Sequence, residues 1–370
     1  MSRTTISLLL LLATGFAYGQ TETPAKAEQM APVMQDPYQG GWQAEDQTRN
    51  ANLWGVLVEE QPANNDALLN QYRSERNASL ARNSGTIPPA DQANLDVLAD
   101  RIGTVAPNSF EAHLAQFYSQ FPAPGAFAEL DHAIAKGSDR NELIGPQLMN
   151  AVRTSNSSET VRWSKALKSE GNVAADLWKL TDDMLISVEK DAILFTAGEM
   201  DAYPAWAKQY ADGVRKDVLI VDERLLVDAA YRQQVWTSAG ARGAATAAGP
   251  AFIGALASAT KRPVFLSLAL GPDLVKTMRD RLYVTGLAAR YSPVLLDNIP
   301  TLERNWKAMK KATAAGPLAR NYLLPGSILL MHYRAAGDEE KASLLEYELR
   351  LLAGKLGATN SLIKTGVLQH

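Results

Sequence analysis

No cysteine occurs among the 370 residues, which excludes disulfides, thiolate metal sites and thiol nucleophiles together. A chain exported to an oxidising compartment loses nothing by this. Histidine is scarce too, and His113, His132, His332 and His370 form no pair at metal-ligand spacing. Neither sign of charge is in excess: 37 Lys+Arg face 40 Asp+Glu, a net −3, so no broad field draws the chain to nucleic acid or to anionic membrane. Only 18 Pro and 25 Gly are present, and 46% hydrophobic with 21% charged residues is globular usage, not a disordered or collagen-like bias. Motifs of the commonest chemistries are missing as well. There is no Gly-x-Ser-x-Gly elbow, no phosphate loop ending Gly-Lys-Ser/Thr, no His-Glu-x-x-His and no Gly-x-Gly-x-x-Gly after a strand. Long apolar runs are lacking: a membrane span needs about 20 such residues, and Ala244 to Ala259 contains Pro250 and runs into Lys261-Arg262.

What is present begins with an export signature. Arg3, the apolar run Ile6 to Ala13 and the small residues of Ala17-Tyr18-Gly19 before Gln20 read as a secretory signal peptide over 1–19. No cysteine follows for lipid attachment, so the mature chain is expected to be periplasmic or secreted and not embedded in a membrane after cleavage. Residues 20–50 are polar, with Pro24, Pro32, Pro37 and Gly40-Gly41, and are expected to form a flexible tether.

From 51 to 189 the apolar spacing is helical. Asp91 is placed to cap a helix bearing Leu95, Leu98 and Ile102 on one side. Phe110, Leu114, Phe117 and Tyr118 line the next helix, and Phe127, Leu130, Ala133 and Ile134 the one after, ended by Gly137. A comparable pair runs from Asn141 to Gly171, and Ala133 and Ala166 stand 33 residues apart. That is close to the roughly 34-residue period of tetratricopeptide helix pairs. Pairs that each expose an apolar side must stack to bury it.

The period changes over 190–300. Ala192 to Thr196 and Val218 to Val221 are short apolar runs suited to buried parallel strands, separated by a helix carrying Trp206 and Tyr210. Pro263 to Ser267 fits a third strand, a helix fits Glu223 to Trp236, and Leu282 to Tyr291 fits a fourth strand. The region 301–370 returns to helices, with Leu345, Leu349, Leu352 and Leu356 in one stripe and Gly337-Asp338 as a turn and cap. The expected class is therefore α/β with mainly helical flanks: tetratricopeptide-like helix pairs around a small, mostly parallel βαβ sheet.

Ligands of open α/β sheets gather at the carboxyl ends of the strands. Those loops carry Glu199, Asp201, Tyr203 and Trp206 after the first strand and Asp222 and Glu223 after the second. Such groups can hydrogen-bond sugar hydroxyls, hold a hard cation such as Ca²⁺ through oxygen, or cap helices. A Glu199/Asp201 pair could also do acid/base work on a glycosidic bond at a suitable carboxyl separation. Pro204 is expected at the first helical position, with Trp206 packed toward the sheet.

The run from Ala192 to Trp206 resembles the strand and Gly-Asp-Asn-Asp-Thr-aromatic-Pro-Leu-Trp loop in the soluble C-terminal region of bacterial protein O-mannosyltransferase-like membrane proteins. Gly213-Val214-Arg215-Lys216-Asp217-Val218, Leu225-Leu226, Tyr231, Arg262-Pro263-Val264-Phe265, Gly286-Leu287-Ala288 and Leu318-Ala319-Arg320-Asn321-Tyr322 continue the similarity in order. Glu199, Met200, Ala202, Asp222 and Arg224 depart from it, standing where the family has Asp, Asn, Thr, Asn and Ser. On this resemblance Ala202→Thr should be nearly neutral. On this reading the chain is expected to have only the signal peptide in place of the family's multi-helix membrane region, where a lipid-linked-sugar transferase site would be expected. The expectation is thus a non-catalytic envelope binding or scaffolding protein with a protein or glycan partner. An envelope enzyme acting on glycans through the acidic loop and a periplasmic chaperone are the alternatives.

Overall fold

The computed structural model describes residues 32–369. The signal-peptide reading, residues 1–19, falls outside them. Among the described residues no helix is long and apolar enough to cross a membrane. The tether does not extend to Asn50. Pro37–Gln39 form a 3₁₀ turn, α1 begins at Ala44 (Ala44–Glu60), and Asp36 and Tyr38 are buried. The segment looked polar because its buried groups are hydrogen-bonded ones. The Asp36 amide donates to Gln39 Oε1 at 2.9 Å, and Gln39 Nε2 donates to the Gly171 carbonyl at 3.0 Å.

Seven further helices complete the first part: α2 (Asn65–Arg82), α3 (Pro89–Val105), α4 (Phe110–Gln120), α5 (Ala126–Lys136), α6 (Ile144–Arg153), α7 (Ser157–Ser169) and α8 (Ala175–Ile186). Asn64, Ser109 and Asn156 cap α2, α4 and α7 by accepting the backbone N–H three residues on. Asp91 is not a cap. Pro88 takes that position, and Asp91, one turn in, accepts the Ser79 hydroxyl at 2.5 Å and ties α3 to α2. Consecutive helices pack as α1 on α2, α4 on α5 and α6 on α7.

The sheet comes next, with β1 (Ile193–Thr196), α9 (Ala202–Tyr210), β2 (Leu219–Asp222), α10 (Ala229–Ser238), α11 (Pro250–Ala259), β3 (Val264–Ser267), α12 (Pro272–Met278), β4 (Leu282–Val284) and β5 (Ala288–Tyr291). Its order is β2-β1-β3-β5-β4. β1 lies between β2 and β3, parallel to both, with Ile193 opposite Leu219 and Val264. Apart from half-buried Leu219, the three apolar runs are buried on both faces, as continuous Val/Ile/Leu/Phe strands require. The single fourth strand expected over Leu282–Tyr291 is instead a hairpin, so the sheet is mixed, with β5 antiparallel to both β3 and β4. Gly286, at φ +151°, makes the turn that divides the run. The helix expected from Glu223 is also divided: a 3₁₀ segment Glu223–Val227 leads to Asp228, which caps α10.

The closing helices are α13 (Ile299–Ala308), α14 (Leu323–Ala336), α15 (Glu339–Lys355) and α16 (Thr359–Lys364). Gly337, at φ +70°, ends α14 and Asp338 caps α15, as the sequence suggests. Leu345, Leu349 and Leu352 are core residues of one cluster that also takes in the sheet and the first helices. Asp183 on α8 fastens the two helical parts together. Buried, it accepts the amides of Lys310 and Lys311, each at 2.9 Å, and the Tyr322 hydroxyl at 2.7 Å.

Candidate functional site

The loop after β1 is folded by its own acid. Gly198 takes φ +147°, and the Asp201 carboxylate accepts the amides of Ala197 at 3.0 Å and Gly198 at 2.9 Å. Asp201 sits at the N-cap position of α9 without capping it, because both oxygens point back to the strand end. It is 1% exposed. Burial pushes its pKa up, against the Ala197 and Gly198 amides that favour the charged form. α9 begins at Ala202, which makes Pro204 its third residue, still within the turn where N–H groups have no helical partner.

Tyr203 and Trp206 are both buried. Trp206 is 1% exposed and donates Nε1–H to the Ile220 carbonyl of β2 at 3.4 Å. Tyr203 stacks on it at 6.0 Å between ring centroids and meets the Tyr38 ring edge-on at 5.6 Å. Gly145 on α6 admits the Tyr203 ring, since a Cβ there would lie 2.7 Å from Cε2.

Glu199 and Asp222, of the remaining acids, face arginines. Glu199 accepts from Arg76 of α2 at 2.6 Å and stands 3.7 Å from Arg224. Asp222, fully buried, accepts the Arg224 amide at 3.0 Å and its guanidinium at 2.7 Å. Asp36 accepts from Arg73, one turn before Arg76 on α2, at 2.8 Å. Arg76 lies over the Tyr118 ring at 4.6 Å and Arg224 over Phe121 at 5.0 Å. Alternating charge thus runs from α2 through the β1 loop to the end of β2. Burial raises the Glu199 pKa, but Arg76 and Arg224 outweigh it and hold the carboxyl below the ordinary glutamate value. Glu223 is half-buried and in no ion pair among the described residues; burial, then Asp222, pushes its pKa up.

The four acids do not make a cation cage. Among the described residues no group of three or more His, Asp or Glu side chains could hold a metal. The reason is local: guanidinium charge occupies the space beside Glu199 and Asp222 that a Ca²⁺ ion would need. The sequence reading named Glu199 and Asp222 and missed Asp36, Arg73, Arg76 and Tyr118. One clue was available. Glu199 and Arg224 both depart from the resembled loop, and they are partners in space.

A family model described as TMEM260-associated domain 2 matches residues 178–241. That stretch, under a fifth of the chain, carries β1, α9, β2, α10 and both acidic loops, while Asp36, Arg73 and Arg76 lie outside it. No transferase or membrane part is seen among the described residues. Neither a curated protein nor a solved structure matches the chain.

Proposed function

We propose that this chain is a non-catalytic periplasmic binding or scaffolding protein of the cell envelope, whose helical layers hold a glycan or a protein partner. The observation that carries this reading is the state of the acidic loop. Glu199 is held between Arg76 and Arg224, and Asp201 is buried with both oxygens on backbone amides. A general acid or base must reach a proton of its substrate. These two carboxylates reach only their own protein. The signal-like start supports export, and the helix pairs α4–α5, α6–α7 and α14–α15 support a tetratricopeptide-like arrangement offering an extended surface. Kinship with the soluble region of the O-mannosyltransferase-like proteins is part of the proposal, supported by the domain match over the same loops.

The test incubates the mature protein with cell-wall and capsular glycans, following both retention and release of fragments. Retention without fragment release is expected. Turnover that disappears in a normally folded Asp201→Asn protein would overturn the reading in favour of a glycan-acting enzyme. Suppressed aggregation of an unfolded polypeptide, with no retention of glycan or envelope protein, would instead establish the chaperone.

A further inference from the structure

α15 carries two apolar stripes. Leu345, Leu349 and Leu352 are buried. Leu344, Tyr347 and Leu351 form the second stripe and are 67%, 67% and 53% exposed. Their spacing of three and four residues sets them in one row along the helix. Gly354 extends the row by another three, and the space where its Cβ would stand is open within 4 Å. Outward faces of capped surface helices are normally polar, so three large apolar side chains in register need an account.

The row has a symmetry of its own. Its midpoint falls between Tyr347 and Glu348, with Leu344 and Leu351 equally far to either side and Glu340 and Lys355 equally far beyond them. At 1.5 Å rise per residue, those two charges stand about 11 Å from the midpoint. Both are exposed, and neither forms an ion pair among the described residues. A two-fold axis through the midpoint lays a second copy of α15 antiparallel on the first. Leu344 then meets the partner's Leu351, the two Tyr347 rings lie beside the axis, and Glu340 meets the partner's Lys355 at both ends. A parallel arrangement would set Glu340 against its own kind.

We propose that the Leu344–Tyr347–Leu351 face of α15 is an isologous interface whose occupant is a second copy of this chain. One helix face buries far less than the roughly 800 Å² per partner of a stable standard-sized interface, so the association is weak and concentration-dependent. Unpaired charges at matched distances fix its register and direction. Reach, not lifetime, is what such a contact supplies: it joins two binding surfaces without locking them.

Sedimentation velocity of the mature protein from about 5 to 500 μM should show a monomer giving way to a dimer within that range. Leu351→Ser should weaken the dimer about tenfold or more while leaving the melting temperature of the monomer unchanged, since the side chain is exposed. Glu340→Lys alone should weaken it severalfold, and adding Lys355→Glu should restore it. Because the chain has no cysteine, Leu344→Cys and Leu351→Cys proteins can be mixed and oxidised, and the mixed disulfide should form faster than either self-disulfide. A monomer at every concentration, no restoration by the charge swap, or a Leu344→Cys protein that links to itself as fast as to its counterpart would each overturn the proposal.

Discussion

Replacing Arg76 by Met leaves Glu199 in a buried setting with its nearest cation gone. Breaking a buried ion pair by deleting one partner typically costs about 3–5 kcal/mol, because the surviving charge is left uncompensated. Arg224, 3.7 Å from Glu199, remains, which places the expected loss near the lower end, about 3 kcal/mol. The Tyr118 ring also loses the guanidinium above it. Glu199→Gln in the same background removes the stranded charge, and the double variant should lie within about 1 kcal/mol of the parent, since neutral replacements of both partners are often tolerated. A urea-denaturation cycle over the four proteins should therefore return a coupling energy of at least about 2 kcal/mol, and more by whatever Glu199→Gln costs alone, since that change strands the buried Arg76 in turn. Acid adds a second readout. The folded Glu199 pKa lies below its unfolded value, so its contribution is complete above about pH 4.3 and is lost as pH falls through the folded value. Glu199→Gln should flatten that part of the acid limb. A loss below 1 kcal/mol in Arg76→Met, with no coupling to Glu199→Gln, would refute the idea that this pair is desolvated and joins the helices to the sheet.

Other consequences can be measured on the same protein. Trp206→Ala should lower stability by about 3–5 kcal/mol in urea; intact stability with lost glycan or partner binding would make the ring a stacking platform instead. Ala202 is fully buried, so Ala202→Thr is not the neutral change that the resemblance suggests and should cost about 1–3 kcal/mol by overpacking. Gly198→Ala should be destabilising, because φ +147° disfavours any side chain and the new Cβ would stand 2.5 Å from the Arg224 guanidinium carbon; equal stability would show that the loop relaxes freely. Millimolar Ca²⁺ should leave the melting temperature unchanged, whereas a rise would reveal a native-state cation site.

The parts legible in the sequence are those where one physical signal dominates. Ile193–Phe195, Ile220–Val221 and Val264–Leu266 are buried on both faces, a demand that a continuous apolar run meets. Gly337-Asp338 was equally plain, since a left-handed residue and a cap side chain are both local requirements. The hairpin was obscured because one glycine within an apolar run is compatible with a strand, and only the antiparallel partner decides that it turns. The site was harder. Arg73 and Arg76 sit on a helix of low overall hydropathy and look like a solvated face, yet Asp36 and Glu199, 37 and 123 residues away, draw both inside. Pairing over such separations leaves no periodic trace. The second stripe of α15 was hidden for the opposite reason, as Leu344 and Leu351 merge by eye with the core leucines beside them.

The Asp183 clasp bears on how the molecule carries load. It joins α8 to the segment at Lys310–Tyr322, so every strand lies in a chain excursion that leaves and returns at one buried carboxylate. Tension applied between the two ends of the described chain therefore has a path from the first helices through this clasp to α14 and α15, beside the Arg76–Glu199 link that also ties those helices to the first acidic loop. A chain pulled at its ends is expected to release the strands only after the clasp has opened, and so to lengthen in two stages.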